Sequence, residues 1–65
     1  MNLIQIKYFL AVAECLNFTA AAARLFVSQQ CVSKQVAKLE REIGVRLFER
    51  STAKVALTDA GKLLQ

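Results

Sequence analysis

Sixty-five residues allow one domain at most, near the lower limit at which a hydrophobic core holds without metals or disulfides. Nine Lys and Arg against five Asp and Glu leave a net charge of +4, and the absence of Pro, with only two Gly, argues against disorder and loop-rich folds. With no His and no CxxC spacing, the usual Cys and His zinc site is excluded and no cofactor is expected.

The first helix runs from Leu3 to Leu16. Its core-facing stripe is expected to be Leu3, Ile6, Leu10 and Ala13, widened by Phe9 and Leu16. A second apolar row, Ile4, Tyr8, Ala11 and Cys15, makes this helix apolar over too much of its circumference for one face to be covered by the domain alone. Asn17 breaks the pattern, Thr19 is expected to cap a second helix, and Ala20 to Ala23 give that helix so little bulk that a neighbour can approach closely.

The stretch "FVS" interrupts, and Ser28 offers a new N-cap, with Val27 and Val32 placed as a hydrophobic staple. A long helix is therefore expected over 29–43, with Val32, Val36, Leu39 and Ile43 inward and Gly44 as a left-handed C-cap. The segments "VRLFER" and "KVALT", separated by "STA", read as two strands of an antiparallel hairpin. Thr58 then caps a last helix, with Asp59 at the positive end of its dipole, and the closing "KLLQ" reads as a cut through that element.

The run "VSQQCVSK" at 27–34 is polar yet nearly uncharged. At about 100° per residue, Gln30, Lys34, Ala37 and Arg41 fall opposite the apolar row, with Gln29 and Ser33 flanking them. A solvated face would favour Glu and Lys; amides and hydroxyls at the start of a helix are groups able to pair with base edges, whereas a row of Lys would bind any sequence equally. A short helix, a three-residue break, a longer helix with such a face and a hairpin after it form the pattern of a winged helix-turn-helix. Lys38, Arg41 and Arg46 also fit plain solvated charges, while Arg50, at the base of the hairpin, is the better anchor.

These residues resemble the N-terminal DNA-binding domain of LysR-type transcriptional regulators. The resemblance rests on "YFLAVAE", "NFTAAAARLFVSQ", "VSKQVAKLEREIGVRLFER" and "LTDAG", which together span nearly the whole chain. It implies a mainly α winged helix-turn-helix of three helices and a two-stranded wing over 1–57, and the truncated start of a linker and dimerisation helix over 58–65. It also implies a bacterial, cytoplasmic homodimer joined through the linker helix and first helix, with a small-molecule effector expected only in a C-terminal domain absent from this chain. The family's base-contacting positions fall on Gln29, Gln30, Ser33 and Lys34, and its backbone contacts on Thr19, Ser28, Lys38, Arg50 and Lys54.

Three departures from the family pattern stand out. Gln30 replaces the usual Pro and adds an amide able to bond adenine bidentately. Cys31 replaces the usual Ala and fills space; like Cys15 it is expected to be a reduced, packed thiol, since the N-terminus has no export signal. The wing tip reads Thr52, Ala53 and Lys54 where the family commonly has a Gly and an Arg, so Lys54 is left to take a phosphate without an Arg's fit to a narrow groove.

Sequence-specific binding of double-stranded DNA is the leading reading. A winged-helix protein-interaction module is the alternative, but it would need an apolar or acidic outer face on the long helix, which this sequence lacks. An enzyme is disfavoured by the lack of His, of glycine-rich loops and of a suitable carboxylate pair. Capped helices and a hairpin imply a packed fold rather than a membrane-active amphipathic peptide.

Overall fold

A computed structural model describes residues 1–51 and 54–65; the wing-tip reading at Thr52 and Ala53 lies outside the described residues. Four helices, α1 (Leu3–Cys15), α2 (Phe18–Leu25), α3 (Gln29–Ile43) and α4 (Asp59–Leu64), frame a two-stranded sheet of β1 (Phe48–Arg50) and β2 (Val55–Leu57). This is the expected mainly α winged helix-turn-helix, and no helix among the described residues is long and apolar enough to cross a membrane.

Helix α1 starts in a capping box. The Asn2 side chain accepts from Gln5 N at 2.8 Å, and Gln5 Oε1 accepts from Asn2 N at 3.0 Å. Its buried face corrects the expected stripe: Gln5, Phe9, Ala11, Val12 and Ala13 are buried, while Leu3 is 80% and Leu10 39% exposed. A helix apolar almost all round has no periodicity that selects one face. The choice falls to shape, with Phe9 turned toward Phe48 at a ring separation of 5.5 Å and the small Ala11 and Ala13 admitted to the core. The second row is also largely covered by this chain, since Ala11 is buried and Tyr8 and Cys15 pack against the core; only Ile4 stays open.

Leu16, at φ 49, ends α1 in the left-handed region, so only Leu16 and Asn17 separate α1 from α2. Asn17 therefore caps α2, its side chain accepting from Ala20 N at 2.9 Å, and the expected cap Thr19 lies inside the helix. The start is set by Phe18, which buries itself edge-on to Phe48 at 5.8 Å. Ala21 and Ala22 are buried where α2 meets α1 and α3.

Phe26, at φ 60, closes α2 with N–H bonds to the α2 carbonyls, and Val27 N reaches Ala22 O at 3.1 Å, a Schellman closure. Ser28 then caps α3 by accepting from Cys31 N at 3.1 Å, and Gly44, at φ 79, ends it, both as expected. Val32, Val36 and Leu39 are fully buried; Ile43 is left at the rim.

Strands β1 and β2 pair antiparallel with Phe48 opposite Leu57 and Arg50 opposite Val55, each strand shorter than the segment expected. Thr58 fastens α4 to the strand lead-in. Its hydroxyl donates to Arg46 O at 2.6 Å and accepts from Gly61 N at 3.0 Å, while its own N–H donates to Leu47 O. Cys15 and Cys31 are free thiols.

Candidate nucleic-acid interface

The Ser28 cap and the two-helix break present the first turns of α3 at the surface. Gln29, Gln30 and Lys34 are exposed there and Ser33 is half-buried. Gln29 Nε2 donates to Ser33 Oγ at 3.3 Å, one turn further along the same helix. Ser28 Oγ is engaged in its cap, and Lys38 stands exposed on the outer side, further toward the helix C-terminus.

Arg50 is placed by an aromatic seat. Its guanidinium lies 4.3 Å from the centroid of the Phe18 ring, a cation–π contact that fixes a long side chain at the base of the wing. Phe18 in turn is held against Phe48 of the same strand. A groove of about 510 Å³ brings Thr19, Gln29, Arg50 and Lys54 together, so residues from α2, α3 and the wing line one recess. Gln30, Ser33, Lys34, Ser28 and Lys38 do not line it. A second recess of about 450 Å³ lies along the far half of α3, lined by Arg41, Arg46 and again Arg50.

The carboxylates near this surface are mostly occupied elsewhere. Glu14 pairs with Arg24, and Glu42 takes the Met1 ammonium at 2.6 Å. That ammonium holds the Glu42 carboxyl below the usual carboxylate range, with Gln5 and the Lys38 charge as smaller contributions. Among the described residues Arg24 is the one Lys or Arg side chain in an ion pair, so the cations at the α3 and wing surface remain available to an acidic partner.

Two features of the site were not read from the sequence. Glu40 is buried, and its Oε2 accepts from Leu47 N at 2.7 Å and from Phe48 N at 3.2 Å, tying α3 to β1. Its position four residues after the core Val36 was the available signal, because a charge beside an apolar row needs an internal partner. The other is the Phe18 seat of Arg50, which no spacing in the sequence announces. Cys31 Sγ lies 3.9 Å from Tyr8 Oη; this contact, with burial, pushes the Tyr8 hydroxyl up.

The profile described as bacterial regulatory helix-turn-helix protein, lysR family, matches residues 3–62. The chain belongs to this family. Among LysR-family relatives, TfdT of Cupriavidus pinatubonensis, an HTH-type transcriptional regulator, is 49% identical over 63 residues, which are 97% of this chain and 28% of TfdT. The solved complex of the CbnR DNA-binding domain with DNA superposes with a TM-score of 0.93 at 49% identity, over 97% of this chain and 72% of that one. The complex of the BenM DNA-binding domain with catB site 1 DNA gives 0.94 at 39% identity, over 98% and 71%. The LysR-family resemblance and the winged-helix architecture expected from the sequence are thus both found.

Proposed function

We propose that this LysR-family chain binds double-stranded DNA sequence-specifically in bacterial transcription regulation. In this reading α3 (29–43) enters the major groove and the wing lies on the backbone or minor groove. The observation that carries it is the groove in which Gln29, from the first turn of α3, stands beside Arg50 and Lys54. A major groove about 12 Å wide admits one helix, and the strand that borders it must then pass between that helix and the wing. Gln29, Gln30, Ser33 and Lys34 are assigned to base edges; Thr19, Ser28, Lys38, Arg50 and Lys54 to the backbone. Arg50 lines both recesses, which suits a phosphate track running between them.

The related CbnR and BenM domains are solved bound to DNA, and TfdT carries the name of a transcriptional regulator, which supports a binding rather than a catalytic role. The chain spans 28% of the length of TfdT. In this reading residues 1–57 act as the DNA-binding domain of a cytoplasmic regulator, and 58–65 begin a linker helix leading to an effector-binding domain. Leu3, Ile4 and Leu10 of α1 and Leu63 of α4 are among the apolar side chains left exposed, and in this reading they meet a second subunit. Selection of bound DNA from a random pool, with the chain fused to a dimeriser, tests the reading. Enrichment of one sequence in two half-sites is expected; recovery of an unenriched pool overturns it.

A further inference from the structure

Resting on that reading, the geometry points to Ser33 as a positioning residue that fixes the Gln29 amide in the orientation that reads adenine and rejects guanine. The family resemblance assigns Ser33 to a base edge of its own, but its short side chain is half-buried and its oxygen accepts from Gln29 Nε2 at 3.3 Å.

The consequence follows from the donor and acceptor inventory of a primary amide, which has two N–H donors on nitrogen and an acceptor oxygen. A free Gln can turn its nitrogen outward and offer both donors, a pattern that suits guanine, whose major-groove edge presents two acceptors. Adenine presents one acceptor and one amine donor, and it is matched by one amide N–H beside the amide oxygen. In this protein one N–H of Gln29 is committed to Ser33 Oγ. That leaves a single donor and the oxygen for a base, the adenine pattern, and the amide oxygen would then stand against a guanine acceptor. The bond runs between residues one helical turn apart, so the helix itself holds the pair in register before DNA arrives. A long flexible side chain is thus ordered in the free protein, which lowers the ordering cost at binding.

The test compares adenine and guanine at the contacted pair of the selected site, using the chain fused to a dimeriser as wild type, Ser33→Ala, Ser33→Thr, Gln29→Ala and the double variant Gln29→Ala with Ser33→Ala. The readout is the ratio of the two affinities within each variant, which does not depend on how much of that variant is folded. Ser33→Ala is expected to narrow the adenine preference by about two- to tenfold, the loss expected for one unordered side chain. Ser33→Thr, which keeps the hydroxyl, is expected to restore it. In the Gln29→Ala background, Ser33→Ala is expected to change nothing further. Additive losses in the double variant would show that Ser33 meets the DNA itself, and an unchanged ratio in Ser33→Ala would show that the bond orients nothing; either overturns the proposal. A wild type that prefers no base at any position overturns instead the DNA-binding reading on which it rests.

Discussion

The carboxylate of Glu40 is the joint between the helix-turn-helix and the wing: one of its oxygens accepts from Leu47 N at 2.7 Å and from Phe48 N at 3.2 Å, both buried. Without this carboxylate the two buried N–H groups would lose their acceptor, and an unpaired buried donor is costly. Glu40→Ala is therefore expected to destabilise the fold by about 1–3 kcal/mol in urea unfolding, and Glu40→Gln, which keeps one acceptor, by less. Equal stability of Glu40→Ala and the parent would mean that the wing base is held by packing alone.

Gly61 gives a test in which two effects oppose each other. In an open helix, replacing Gly by Ala gains about 1 kcal/mol. In α4, however, a Cβ at this position would lie 2.3 Å from Leu47 O and 2.8 Å from Leu57 Cδ2. The close approach wins, and Gly61→Ala is expected to lower stability by about 1–3 kcal/mol, since backbone oxygen cannot move aside as a side chain can. Gly44→Ala meets no atom within 4 Å and carries only the left-handed backbone penalty, about 1 kcal/mol. Thermal unfolding of the two variants, side by side, separates contact from conformation.

At the proposed interface, Gln29→Ala and Lys34→Ala are expected to relax discrimination at particular base pairs. Each should cost about 1–3 kcal/mol against the preferred site while leaving the thermal transition in place. Titrations against the selected site and against random DNA measure this; equal losses on both would remove these residues from base reading.

Arg50→Ala and Lys54→Ala are expected to weaken binding to all sequences alike and to lower the slope of log affinity against log salt by about one unit each. A phosphate contact releases a counterion whatever base lies beside it. Arg50→Lys should retain the slope but bind less well, because an ammonium lacks the flat face that lies on the Phe18 ring.

Leu3 and Leu10, 80% and 39% exposed on α1, are expected to mediate self-association with the linker helix proposed to continue from α4. In a chain extended by about 25 residues, roughly seven helical turns, Leu3→Ser with Leu10→Ser should lower dimerisation in sedimentation runs. DNA affinity should then fall on the order of a hundredfold as the effective concentration of the second half-site contact is lost. Unchanged sedimentation would show that this surface has another use.

Much of this architecture was set by local sequence. The bounds of α3 were readable because Ser28 and Gly44 act through their own backbone within one turn, and its outward face because Val32, Val36 and Leu39 step at the helical period. The outward placement of Gln29, Gln30 and Lys34 follows from the same spacing, with no tertiary contact needed. Thr58 as the cap of α4 was equally local. Tertiary structure decided what local rules left equal. The face of α1 that is buried was open until Phe9, Phe18 and Phe48 met, because an apolar circumference satisfies several registers at once. Thr19 was the cap expected from local sequence, and the burial of Phe18 moved the helix start to Asn17, whose amide caps as well as a hydroxyl. The joint at Glu40, the seat of Arg50 on Phe18 and the groove that unites Gln29 with the wing each join residues of different elements. Such contacts depend on the packing of whole elements, and no periodicity within one element encodes them.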